Sequence, residues 1–187
     1  MPTNYIHCNN CPYVQQQHLQ NANFQIPNPS PLSLDLGNNA NTLLIFQAPG
    51  VDEWLGNTCS QIRIPIDSKN PHSAAARMRE SMRRKGVTRA SYDITEAVQC
   101  FPGKTSSGRD RKPSAQSIRC CLRHLVNDLS QKQYVDIVAF GVIAFEMAQE
   151  AVNIVNSNSQ IKLIQPTPRF VKHPNGGIDN ITLDSSY

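Results

Sequence analysis

Two carboxylates, Asp52 and Glu53, stand directly behind a turn that ends an apolar run, in the stretch TLLIFQAPGVDEW from Thr42 to Trp54. Leu43 to Phe46 read as a buried strand, and Gln47-Ala-Pro-Gly50 as the tight turn that stops it. Ligands of an open parallel sheet bind outside the carboxyl ends of its strands, so both acids would stand beside a bound molecule. An acidic surface loop after a core strand is the plainer reading of the same residues. A second set of reactive groups is thiol. Cys8 and Cys11 form a C-x2-C pair whose thiolates can chelate one ion or cluster, and Cys100 and the tandem Cys120-Cys121 follow later. The third is His173, set before the rigid and then flexible Pro174-Asn175-Gly176-Gly177, where a polar surface histidine is the ordinary alternative.

These groups need elements to hold them. Residues 15–41 are rich in Gln, Asn, Pro and Ser and lack a sustained period, which predicts an irregular surface lead-in. Ser73 caps a helix AAARMRESMRRK that Gly86 closes, and Tyr92 to Val98 read as a strand ending at Cys100. Residues 101–112 form a loop in which Gly103 and Gly108 alternate with Lys104, Arg109, Arg111 and Lys112, a composition suited to phosphate contacts or to a flexible exposed loop. Pro113 begins an amphipathic helix with Ile118, Cys121, Leu122, Leu125, Val126 and Leu129 on one stripe. A strand from Tyr134 to Phe140, a helix from Val142 to Val155 and a short last strand from Ile161 to Ile164 complete the order. Strands alternating with helices predict a three-layer α/β/α sandwich around a small, mainly parallel, four-stranded sheet.

The chain has 187 residues and is 39% hydrophobic, which fits one domain over residues 1–187: a lead-in over 1–41, an α/β core over 42–175 and a tail over 176–187. Eighteen Lys and Arg against 14 Asp and Glu give a charge of +4, which permits a polyanionic partner without requiring one. No signal peptide and no membrane-length apolar run is visible, so a soluble intracellular monomer is expected. In such a compartment the six cysteines read as metal ligands or buried thiols rather than disulfides.

Taken together and in order, the segments resemble the iron-sulfur branch of the uracil-DNA glycosylase superfamily. Gln47-Ala-Pro-Gly50 with Asp52-Glu53 is similar to that family's first motif, Ile94-Thr-Glu-Ala-Val-Gln-Cys100 to its Ile-Thr-Asn-Val-Val-Lys-Cys strand, and His173-Pro174-Asn175 to its His-Pro motif. Ser117-Ile-Arg-Cys-Cys121-Leu and Asp136-Ile-Val-Ala-Phe-Gly141 match the two segments between. The resemblance implies a DNA partner, single- or double-stranded, and hydrolysis of the N-glycosidic bond of a flipped uracil or other modified base. It implies a [4Fe-4S] cluster on Cys8, Cys11, Cys100 and Cys121, with Cys120 in reserve and zinc as the other occupant such ligands accept. His173 would stabilise the leaving base, and Asp52 or Glu53 would handle the water. Gln47, Ala48, Trp54 and Glu96 would surround the base. Lys104, Arg109, Arg111, Asn175 and Gly176 would touch the DNA strand.

Three positions depart from the family pattern. Gln47 replaces the first-motif carboxylate, Leu55 to Arg89 lack the aromatic that stacks on the base, and Glu96 stands where the family carries a base-reading Asn. An ionised Glu can only accept hydrogen bonds, which suits an amine-bearing, cytosine-like base, whereas a protonated Glu would mimic Asn. Two rival functions therefore stay open: a catalytically weak binder of nucleic acid or free base, and an enzyme acting on a free nucleoside or nucleotide.

Overall fold

The computed structural model describes residues 8, 11–13, 16, 18–19, 22–26, 29–56 and 74–172. Ser73, His173, Asn175 and Gly176 lie outside the described residues. Four strands, β1 (Thr42–Phe46), β2 (Asp93–Glu96), β3 (Asp136–Phe140) and β4 (Arg169–Val171), make one all-parallel sheet in the order β2-β1-β3-β4. Burial on both faces explains the apolar runs of β1 and β3, whereas β2 is equally buried with Ile94 as its one apolar residue. The expected α/β class is therefore observed. The chain winds from β1 to one side and then crosses to the other, which makes the carboxyl ends of β1 and β3 the switch point at which open parallel sheets bind their ligands.

Side chains alternate along each strand, and one contact fixes which face is which. Thr95 donates from its hydroxyl to Asp128 of α3 (Ala115–Leu129) at 2.6 Å, so Leu43, Ile45, Asp93, Ile137 and Ala139 share the face under α3. α3 packs against α4 (Val142–Ser157), which also lies on β1, β3 and β4. Leu44, Phe46, Ile94, Glu96, Val138, Phe140 and Val171 occupy the opposite face. α3 begins two residues later than Pro113 suggests, because Ser114 is its cap and its Oγ accepts from the Ser117 N–H at 3.1 Å. α2 (Ala74–Arg84) buries Met78 and Met82 and ends at Gly86, whose φ of 68° permits the Val87 N–H to reach the Met82 carbonyl at 3.0 Å.

Two expectations are corrected. Ile161 to Ile164 form no strand. Ile164 is exposed, and Gln165 instead ties the segment down, its Nε2 donating to the carbonyls of Leu129 and Lys132 while its Oε1 accepts from the Tyr134 N–H. The sheet resumes only past Pro166 and Pro168, at Arg169. The lead-in is also more structured than its composition suggests, since residues 32–38 run along the free edge of β2. Asp35 bridges Ile94 in antiparallel sense, and Gly37 passes so close that a Cβ there would lie 2.4 Å from the Tyr92 carbonyl oxygen.

Candidate active site and thiol cluster

The turn after β1 is fastened to the end of β2. The Ala97 N–H donates to the Phe46 carbonyl at 2.7 Å and the Val98 N–H to the Gln47 carbonyl at 3.0 Å, so pairing continues past the regular strands. Asp52 and Glu53 do not lie on an open loop but in the first turn of α1 (Val51–Gly56), and the Trp54 N–H closes that turn on the Gly50 carbonyl. The Glu53 side chain folds back to accept from the N–H groups of Gly50 and of Glu53 itself, as the acid of a capping box does. Gly50 is needed for this approach, because a Cβ there would stand 2.7 Å from Glu53 Oε2. Burial pushes the Glu53 carboxyl up to about 7, against those two N–H groups and with a small further rise from Asp52 and Asp110. Asp52 is exposed beside it, Gln47 and Ala48 are half-buried, and Pro49 is buried.

Glu96 is the last residue of β2 and is only 4% exposed. Its Oε2 has no hydrogen-bond partner among the described residues. Burial raises its carboxyl well above the usual range, and the Glu53 charge raises it further. Strand register sets Glu96, Phe46, Phe140 and Val171 in one row across the carboxyl end of the sheet. Within that row the Phe46 and Phe140 rings stack, with centroids 4.6 Å apart and planes within 7°. Trp54, expected as a surface for a base, is corrected to a core residue. It is wholly buried, with Nε1 donating to the Phe24 carbonyl at 3.1 Å, and shows no face to a ligand. Sequence reasoning looked for the aromatic after the turn and missed Phe46, the residue before it, because only strand register reveals its neighbours.

The basic loop is closed by hydrogen bonds into a tight turn. Thr105 Oγ1 and N–H both engage Arg109, Lys104 bridges Asp110, and the Arg111 N–H donates to Gly103. The Lys104 ammonium lies 2.6 Å from an Asp110 carboxylate oxygen, so its charge is already engaged; Arg109 is exposed and Arg111 half-buried.

Five cysteines from three segments meet at one place. Cys8, Cys11, Cys120 and Cys121 all act electrostatically on Cys100, Cys121 most strongly, and Cys120 shares a hydrogen bond with Cys11. Burial, followed by neighbouring thiols, pushes Cys120 up to about 11. Burial also holds Cys121 at about 12, against a hydrogen bond from the Gln99 backbone. No three His, Cys, Asp or Glu side chains among the described residues stand together as metal ligands, so this is proximity short of a formed coordination shell. His124, unremarked in the sequence, lies one helical turn from Cys120 and Cys121, and its Nε2 is 2.7 Å from Cys8 Sγ. The placing of His124 three and four residues after the two cysteines was the available signal.

No helix among the described residues is long and apolar enough to cross a membrane. A search among characterised proteins finds no significant match to the chain. The sequence profile of the Uracil DNA glycosylase superfamily matches residues 34–179, from the edge-covering lead-in to beyond β4. With that profile spanning most of its length, the chain belongs to the Uracil DNA glycosylase superfamily.

Proposed function

We propose that the protein hydrolyses the N-glycosidic bond of a modified base flipped out of DNA, and that it belongs to the iron-sulfur branch of the superfamily with an altered base-reading site. The observation that carries this is the convergence of the Gln47 to Gly50 turn, Glu53 and Glu96 at the carboxyl edge of β1 and β2. Base removal needs an extruded base, a stabilised leaving group and a water at a cationic sugar. Glu53, poised near neutrality, orients or deprotonates the water and offsets the sugar's charge, with Asp52 beside it. Gln47 and Ala48 line the base through the turn, and the half-buried Phe46 ring offers the flat apolar surface that Trp54 does not. The family resemblance gives His173 the leaving base, and gives Asn175, Gly176, Lys104, Arg109 and Arg111 the DNA strand.

A [4Fe-4S] cluster fits the donor set, since soft thiols from the lead-in, the end of β2 and α3 come within interaction distance. Cys8, Cys11, Cys100 and Cys121 would hold it. Its contribution is structural, tying three segments together beside the site. Zinc would use the same four side chains, and iron and sulfide analysis of the purified protein separates the two: about four of each supports the cluster, while stoichiometric zinc without iron excludes it.

The activity is tested by incubating the protein with oligonucleotides that each carry one modified base, followed by alkali cleavage at abasic sites. Cleavage of at least one supports the reading, and cleavage of none removes it. Gln47, in place of a carboxylate, favours one second reading, a catalytically weak binder. That protein would retard the same oligonucleotides in a gel, with affinity falling steeply as salt rises, yet cleave none.

A further inference from the structure

Among the described residues, Glu96 is a carboxyl group with no ordinary means of carrying charge. It is 4% exposed at the end of β2, where parallel sheets meet their ligands, and its Oε2 lacks any partner among the described residues. Among the described residues, the charged group that faces it is the Glu53 carboxylate of α1, itself faced by Asp52 and Asp110. Taking an ionised carboxylate out of water costs several kcal/mol, and a second negative charge makes the cost larger. Glu53 differs in one respect, for the backbone N–H groups of Gly50 and Glu53 stabilise its anion. When two neighbouring acids have unlike surroundings, the proton stays with the less solvated one.

We propose that Glu96 works as a neutral carboxylic acid that donates its O–H to a carbonyl oxygen on the flipped base, while Glu53 carries the single negative charge of the pair. This rests on the base-removal reading above. A neutral acid has one donor and one acceptor, so it can give a hydrogen bond to the base's carbonyl and accept one from the adjacent ring N–H. The substrate class is then a base with a carbonyl beside an N–H, as in uracil. An ionised Glu96 would repel that carbonyl and accept only from an exocyclic amine. The unpartnered Oε2 is the atom this leaves available for the base. Phe46, beside Glu96 in register, would support the ring so read.

Two measurements test this on the intact, metal-loaded protein. The first follows side-chain carboxyl carbon shifts by NMR, with the Glu96 resonance identified by its loss in Glu96→Gln. Glu96 should remain protonated at neutral pH, and a resonance already ionised near pH 6 overturns the proposal whether or not the protein cleaves any substrate. The second compares uracil release by Glu96→Gln and Glu96→Leu. Gln keeps a permanent donor and acceptor, so it should release uracil roughly ten- to hundredfold faster than Leu, the cost of stranding the base's polar edge. Equal rates in the two variants overturn the reading role. If wild-type protein releases no base from any oligonucleotide, the base-removal reading falls, and the role of Glu96 in reading the base falls with it. The NMR result still separates that failure from an error about the proton.

Discussion

Strand β2 carries a buried carboxyl group at each end, and the fold treats them in opposite ways. Asp93, at the amino end, is 0% exposed, and the Lys132 ammonium lies 2.6 Å from its carboxylate. It also accepts from the Tyr134 hydroxyl at 2.9 Å and from the Gly37 N–H at 2.8 Å. Glu96, at the carboxyl end, is almost as buried, yet has one oxygen without a partner among the described residues. Buried polar groups in folded proteins are nearly always satisfied. The satisfied group fastens the lead-in and the start of β3 to the sheet, whereas the orphan faces the edge where a substrate would supply what is missing.

Breaking the paired end should cost stability first. Asp93→Ala takes the acceptor from the Tyr134 hydroxyl and the Gly37 N–H and leaves Lys132 with the Ala40 carbonyl, and the midpoint of urea unfolding should fall by the equivalent of about 3–5 kcal/mol. The unpaired end should respond in rate instead. Glu53→Gln preserves shape but not the base, so single-turnover base release should slow by roughly 10² to 10⁴ with little change in DNA affinity. Glu96→Leu sharpens the contrast, because it removes an unsatisfied polar group. Its unfolding midpoint should stay level or rise by the equivalent of about 1 kcal/mol, the reverse of Asp93→Ala. The smallest effect belongs to the basic turn. Arg109→Ala should lower the slope of log affinity against log salt by about 1, and Lys104→Ala by less, because Asp110 already engages the lysine.

Much of this was legible in the sequence where local chemistry decides the outcome. The β1 run and its Pro-Gly stop, the Gly86 helix end and the stripe on α3 each carry their signal within a few residues, and the structure has each of these features. What depends on distant pairing was not legible. Ile161 to Ile164 have strand-like residues, but Gln165 is claimed by carbonyls from another segment, and the edge of β3 is reached only at Arg169. Trp54 offered an aromatic at the right distance along the chain, yet the first turn of α1 directs it inward to Phe24. Phe46 and Phe140 meet only through the register of β1 and β3. The acids were legible as residues; their unequal surroundings were not, since the Gly50 N–H reaches Glu53 and no described group reaches Glu96 Oε2.

The dependence of single-turnover uracil release on pH tests the central claim, that Glu53 at the carboxyl edge is the working base. Burial raises its carboxyl to about 7, so the competent, ionised form is lost as pH falls below that value. The rate should climb about tenfold per unit below about pH 7 and level off above it, and this limb should disappear in Glu53→Gln. A rate independent of pH across that range, or the same limb retained in Glu53→Gln, would contradict the account.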